Sequence, residues 1–382
     1  MRIYLDHNAT TPVRDEVVEA MAGVLRDCFG NPSSPHAEGG RARAAIDSAR
    51  DRIASLLGVA AGEILLTGGA TEANNTTLLG LLRGPVGSGR HVVTTAIEHP
   101  SVEEPLALLE REGWRVTRVG VDADGCVDAE GVLAAIEPGT VLVSVIWANN
   151  ETGVIQPVEA IARGAKERGV LVHSDATQAV GKLPVDLRHV PVDLLSLSAH
   201  KFNGPKGVGC LVVRGDLRFE PLLHGGPQEG RRRGGTENVA GIVGLGIACE
   251  LAERELPERI ASYGGLRDRL WQGICEKIPG VRRNGSATRV LPGSLNVEFE
   301  DAAGEVLLQA LDLEGVAVSA GAACASGSIE PSHVLSAMGR TPEQARGSLR
   351  LSVGHGVDAA QIDRVLVLLP DLVERARRAS SA

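Results

Sequence analysis

An α/β fold is predicted, with a mostly parallel seven-stranded sheet in a large domain and a smaller α+β domain at the C-terminal end. Three observations carry this. Apolar runs at Glu63–Thr67, His91–Thr95, Arg115–Val119, Val141–Trp147, Val170–His173, Leu194–Ser198 and Val208–Val213 read as strands. Helical patterns at 100–112, 128–136 and 157–168 fall between several of them, and such alternation implies a parallel sheet covered on both faces. After Thr236 the alternation gives way to long helical stretches with isolated strands.

In chain order, Tyr4–Pro12 is extended and precedes a helix over 14–28, and Gly30–Pro35 is a loop. A helix over 37–57 sets Ile46, Ile53, Leu56 and Leu57 on one face. The strand at 63–67 runs into Gly68-Gly-Ala-Thr-Glu-Ala73 and a helix over 74–82. Beyond the sheet, helices at 237–254 and 256–277 lead to a strand at Gly293–Phe299 and a helix at 303–313. Strands at Val316–Val318 and Ser348–Val353 and a last helix at 358–378 complete the chain. Residues 13–252 are expected to form the large domain, with 1–12 and 253–382 in the small one.

The 382 residues are 43% hydrophobic, enough for a sizeable core, but only 2% aromatic, so Leu, Val, Ile and Ala must build it. A formal charge of −9 argues against a nucleic-acid surface. Six cysteines without C-x-x-C spacing fit neither a zinc site nor a disulfide framework. The first residues lack a signal-peptide pattern and no long apolar segment spans a membrane, so a cytoplasmic protein with reduced thiols is expected.

The candidate chemistry falls at strand ends, where ligands of parallel sheets sit. Lys201 follows the run Val192–Leu197 and precedes the turn Asn203-Gly204-Pro205. A lysine there is either solvated on a hairpin or desolvated, and desolvation lowers its pKa toward that of a Schiff-base nucleophile. Gly68-Gly-Ala-Thr71 is either an ordinary turn or a phosphate cradle at a helix start, and it matches neither a P-loop nor a dinucleotide fingerprint. Asp175 is either an N-cap or a carboxylate that keeps a pyridine nitrogen protonated, and Gln178 either faces solvent or donates to the same ring's phenolic oxygen. A phosphate cup, an acid for a ring nitrogen and a Schiff-base lysine together define one cofactor, pyridoxal 5′-phosphate.

At this point the chain resembles the cysteine desulfurases, a class V aminotransferase family with fold type I among pyridoxal-phosphate-dependent transferases. The resemblance rests on Leu5-Asp-His-Asn-Ala-Thr-Thr-Pro12, Phe29-Gly-Asn-Pro-Ser-Ser34, Thr67-Gly-Gly-Ala-Thr-Glu72, Glu98-His99 and Asn149-Asn-Glu-Thr-Gly153. It continues through Asp175-Ala-Thr-Gln178, Ser198-Ala-His-Lys201, Gly204-Pro-Lys-Gly207 and Arg233-Gly-Gly-Thr-Glu-Asn238, so it covers nearly the whole chain. It implies that Lys201, and not Lys206 of the turn, carries the cofactor. It implies Ala70, Thr71, Ser198 and His200 at the phosphate, Asn150 near ring and substrate, Gln178 at the phenolic oxygen, and Asp175 at the ring nitrogen. His99 would stack on the ring and move protons, the α-proton base being Lys201 or His99. Thr236 would reach the neighbouring subunit's phosphate, which implies a homodimer.

Ser319-Ala-Gly-Ala-Ala-Cys324-Ala-Ser-Gly-Ser328 selects the reaction within this resemblance. Small residues around a thiol predict a loop that can carry sulfur, and Cys324 aligns with the family's nucleophile. The other five cysteines read as inert core thiols. Arg350 matches the arginine that clamps the substrate carboxylate, a planar bidentate task. The implied reaction converts L-cysteine to L-alanine and leaves a persulfide on Cys324, passed to an acceptor such as an iron–sulfur scaffold or a tRNA-thiolation carrier. A loop thiolate of this kind can also ligate a nascent iron–sulfur cluster. Two departures stand out: Ala199 where Gly or Thr is frequent, and Pro227 within His224-Gly-Gly-Pro-Gln-Glu, where a third glycine is usual. The rivals are an aminotransferase or selenocysteine lyase of the same fold, and a non-catalytic scaffold protein.

Overall fold

The computed structural model describes residues 2–84, 89–320 and 331–380. The chain runs through β1 (Ile3–Tyr4), α1 (Asp15–Asp27), α2 (Ala37–Leu57), β2 (Ile64–Thr67) and α3 (Ala70–Asn75), which continues as a wider π-type turn over Thr76–Leu81. There follow β3 (His91–Thr95), α4 (Pro100–Arg111), β4 (Arg115–Val119), α5 (Ala129–Ala134), β5 (Thr140–Ser144), α6 (Val158–Glu167), β6 (Leu171–Asp175), β7 (Leu194–Ser198) and β8 (Gly209–Val213). The remainder comprises α7 (Gln228–Arg231), α8 (Val239–Lys277), β9 (Val281–Arg283), β10 (Ser294–Phe299), α9 (Gly304–Leu313), β11 (Val316–Ala317), β12 (Ser319–Ala320), α10 (His333–Ala337), α11 (Pro342–Arg346), β13 (Ser348–Ser352) and α12 (Ala359–Ser380).

The seven expected strands form one sheet in the order β2-β8-β7-β6-β5-β3-β4. It is parallel except at β8, which runs against both neighbours. Period-2 alternation explains why apolar residues occupy both faces of the inner strands. Ile64, Leu66, Val93, Val143, Leu195 and Val212 enter one core, with α2, α6 and the start of α8. Their neighbours Leu65, Val92, Leu142, Leu194 and Leu211 enter another, under α3 and α4. A polar strand residue survives where it is satisfied. His173 bridges Ser144 Oγ (2.9 Å) and Ser196 Oγ (3.0 Å), and burial drops it to about 4, so it is a neutral structural group.

A third core lies under the sheet β12-β13-β10-β9, whose apolar face (Leu295, Val297, Phe299, Leu349, Leu351) packs on α9, α12 and the end of α8. The same alternation turns Asn296, Ser348, Arg350 and Ser352 to the opposite, polar face. β1 pairs with β11, and the chain then passes between the cores, with Leu5 in the third and Thr11 donating to the His200 carbonyl.

Three details differ from the sequence reading. The two helices expected at 237–254 and 256–277 are one helix of 39 residues with Pro257 inside, Ile242 to Ala252 packing in the first core and Leu270 to Ile274 in the third. Tertiary packing at both ends holds the helix through a proline that local propensity reads as a break. The strand expected at 316–318 ends at Ala317 as β11, and a separate short strand, β12, follows at Ser319–Ala320 in a different sheet. Cys275 is exposed and Cys28 half-exposed, so only Cys126, Cys210 and Cys249 are core thiols among the described residues; Cys275 lies off the stripe of α8 that buries Leu270 and Ile274. Ala199 is accommodated because Gly204 has no side chain to meet its methyl.

Candidate active site

Strand order brings the predicted residues to one edge. Thr67 of β2 and Ser198 of β7 both pair with Gly209 of β8, so the two strands end level with each other on either side of β8. Asp175 ends β6, next to β7. The result is a cavity of about 970 Å³ lined by Ala70, Thr71, His99, Asn150, Asp175, Gln178, Ser198, His200, Lys201 and Arg350.

At one end of the cavity, Gly69 holds φ 145°, a conformation that favours glycine, and leads into α3. A methyl group on Gly209 would sit 2.8 Å from the Gly69 Cα, so a second glycine lets strand and loop close up. Ala70, Thr71 and Glu72 begin the helix, and their amides lack intrahelical acceptors. Ser198 and His200 complete this end. Burial, with Lys201, Lys206 and Lys182 nearby, drops His200 to about 4, so it is neutral, and its Nδ1 lies 3.1 Å from Thr10 Oγ1.

In the middle stands Asp175. No helix follows it, so it caps none: Oδ1 accepts from Thr177 N–H at 3.0 Å and Oδ2 from Asn74 Nδ2 at 2.8 Å. His99 caps α4, with Nδ1 accepting from Ser101 N–H at 3.1 Å. Burial pushes His99 below the usual histidine range, against the pull of Asp175 and with help from Lys201 and His333.

Lys201 closes a 3₁₀ turn, Ala199–Lys201, directly after β7. Its Nζ donates to the carbonyls of Asn8 and Ala9, both at 2.8 Å. Burial first, then Arg350, brings it down to about 8, partly opposed by Asp175 and Asp6. The solvated-hairpin reading therefore fails. Gln178 donates through Nε2 to Asn8 O at 2.8 Å and accepts from Lys182 Nζ at 2.6 Å.

Arg350 comes from the polar face of β13. It donates to Asp6 Oδ1 (2.8 Å), Ser319 Oγ (3.0 Å) and Asn150 O (3.2 Å). Its Nε is buried with no acceptor among the described residues. An unmet buried donor costs about 1–3 kcal/mol, which an incoming carboxylate would relieve.

These residues fit pyridoxal 5′-phosphate by their donor chemistry. Free helix-start amides and a hydroxyl suit a phosphate, an acceptor-only carboxylate suits a ring N–H, and a lysine held near 8 suits a carbonyl. Thr236 is exposed and does not line the cavity, and Cys324 lies outside the described residues. Among the described residues no cluster of metal-ligating side chains occurs and no helix is long and apolar enough to cross a membrane.

Five contributors escaped the sequence reading: Asp6, Asn8, Asn74, Ser101 and Lys182. Asp6 and Asn8 lie inside the motif Leu5–Pro12, and Asn74 stands one helical turn from Thr71, a spacing that puts both on one face. A polar residue at that spacing was the available signal.

Residues 3–365 match the family model described as aminotransferase class-V. The chain is 46% identical over 378 residues to cysteine desulfurase IscS of Methanosarcina thermophila, covering 99% of this chain and 93% of the relative. A cysteine desulfurase of Enterobacter agglomerans is also 46% identical over 379 residues, covering 99% and 94%. Among solved structures, a NifS-like protein superposes with a TM-score of 0.93 at 38% identity, covering 98% of this chain and all of that one. SspA in complex with cysteine superposes at 0.83 and 37% identity, covering 93% and 99%.

Proposed function

Because the chain belongs to the aminotransferase class-V family and is a cysteine desulfurase, we propose that Lys201, Arg350 and Cys324 divide the work on L-cysteine, with pyridoxal 5′-phosphate carried on Lys201. The observation that supports this assignment is the convergence of a desolvated lysine, a carboxylate, a helix-start cradle and an arginine on one cavity.

When bound, the pyridoxal ring supplies an electron sink at the substrate's α-carbon. Gly69, Ala70, Thr71, Ser198 and His200 would hold its phosphate, Asp175 would serve its ring nitrogen, Gln178 its phenolic oxygen, and His99 its face. Arg350 takes the substrate carboxylate, helped by Asn150. The base for the α-proton is Lys201 or His99; Lys201, brought down to about 8, is neutral often enough near pH 7–8 to serve. The Cys324 thiolate then attacks the substrate sulfur. A sulfur–sulfur bond forms, the carbon–sulfur bond breaks, and its electron pair stays on the β-carbon, which takes a proton to give the methyl of L-alanine. Sulfur is oxidised and carbon reduced, so no outside oxidant is needed, and Cys324 is left as a persulfide.

An acceptor protein thiol takes the sulfur by exchange, in the reducing cytoplasm. Iron–sulfur scaffolds and tRNA-thiolation carriers are the acceptor classes we infer, and Cys324 can serve as a transient cluster ligand. Thr236, exposed on its own chain, is assigned to the partner's phosphate in a homodimer. Residues 1–12 and 253–382 are assigned to a small domain and 13–252 to a large one, a division supported by the separate third core.

Cys324→Ser tests the sulfur step. The purified variant should keep the absorbance of the lysine-bound cofactor and lose alanine formation from cysteine. Undiminished sulfide release would remove Cys324 from the mechanism, and a reducible lysine adduct persisting in Lys201→Ala would remove Lys201.

A further inference from the structure

Asn74 is fully buried on α3, and its amide can be oriented from its neighbours alone. Asp175 Oδ2, 2.8 Å from Asn74 Nδ2, belongs to a carboxylate that can only accept, so the amide nitrogen must face it. The same nitrogen reaches Ser101 Oγ, also at 2.8 Å, with its second hydrogen. This orientation leaves Asn74 Oδ1 buried without a partner among the described residues, yet the flipped amide would set that oxygen against the Asp175 carboxylate. The Ser101 hydroxyl, accepting from Asn74, has one proton to give, and His99 Nδ1 lies 2.8 Å away. The Ser101 backbone N–H also points at Nδ1, at 3.1 Å. Two donors on one ring nitrogen exclude a proton there.

We propose that Asn74 and Ser101 are positioning residues that couple the Asp175 carboxylate to His99, holding the neutral imidazole as its Nε2–H tautomer. This rests on the reading that Asp175 and His99 flank the pyridoxal ring. His99 lines the cavity, and its Nε2 has no hydrogen-bond partner among the described residues. His99 therefore presents a donor to the cavity and no lone pair, and of the two candidate bases Lys201 removes the α-proton. The groups that face His99 agree with a neutral ring: Lys201 after β7 and His333 of α10 disfavour its charge along with burial, against Asp175 of β6.

The test uses the holoenzyme labelled with ¹⁵N in its histidine rings, the His99 signals being identified by their loss in His99→Gln. Between pH 7 and 8 the expected spectrum has an unprotonated, hydrogen-bonded Nδ1 and a protonated Nε2. A neutral ring protonated at Nδ1, or an imidazolium, overturns the proposal. Ser101→Ala removes one donor to the lone pair, so His99 should titrate higher by about half a unit or more, and Ser101→Thr should restore the wild-type titration. An unmoved titration in Ser101→Ala also overturns it. Visible absorbance of the lysine-bound cofactor is read in the same samples. Its absence from wild type would sink the pyridoxal reading, whereas a wrong tautomer in a coloured protein sinks this inference alone.

Discussion

Lys182 Nζ lies 2.6 Å from Gln178 Oε1, and the contact completes the fixing of the Gln178 amide. The carbonyl of Asn8 can only accept, so Gln178 must direct Nε2 toward it, as it does at 2.8 Å. Oε1 then needs a donor, and Lys182 supplies it while also reaching Asn8 Oδ1 at 3.2 Å. Burial, with Lys201 and Arg350 nearby, pushes Lys182 well below the usual lysine range, but a neutral amine still has hydrogens for both contacts. One Nε2 hydrogen of Gln178 is left over, and Gln178 lines the cavity.

Lys182→Met should therefore loosen Gln178 without disturbing the fold, since an apolar chain of similar length replaces a desolvated amine. One hydrogen bond of about 1 kcal/mol corresponds to roughly a fivefold weaker affinity for pyridoxal phosphate. Titration of the apo protein followed by absorbance measures it, and an unchanged affinity would release Gln178 from its assigned role.

Arg350→Lys should raise KM for L-cysteine by about tenfold or more and leave kcat within a few-fold. A lysine keeps the charge but cannot present the planar fork that pairs with a carboxylate. It also gives up the three contacts that hold Arg350 between Asp6, Ser319 and Asn150. Steady-state kinetics decides. A loss confined to kcat would place Arg350 outside substrate binding.

Cofactor loading should follow the titration of Lys201. The amine must be neutral to attack a carbonyl, and burial lowers it from the ordinary 10.5 to about 8. The loading rate of the apo protein should climb about tenfold per pH unit below 8 and level off above it. The same shift makes a stability prediction. Between about pH 8 and 10.5 the unfolded chain holds a proton that the folded apo protein has released, so this group's contribution makes apo stability rise with pH across that window. Stopped-flow absorbance and urea melts at several pH values check the two signs, and a rate still climbing at pH 10 would contradict the first.

Much of the sheet was legible because strands buried along their whole length, such as Ile64–Thr67 and Leu194–Ser198, are mostly apolar and carry no charged side chain. The candidate residues were legible for a related reason: polar side chains that interrupt such runs at strand ends, like Asp175 and Lys201, have few purely structural uses. The continuous α8 was not legible, since Pro257 looks like a terminator until packing at both ends of the helix is known. Nor was the exposure of Cys275, which depends on which face of α8 the third core covers.

The sequence by itself determined which chemical groups this protein has and in what order they leave the strands: a cradle at Thr71, an acid at 175, a lysine at 201, a thiol at 324, an arginine at 350. Tertiary structure decided how those groups are held. Asn74 joins Asp175 to Ser101 and His99, Lys182 orients Gln178, and Asp6 steadies Arg350 from the far end of the chain. The reason is physical. A run of residues encodes local burial and periodicity, whereas the direction of a hydrogen bond depends on the donor or acceptor that distant segments place beside it.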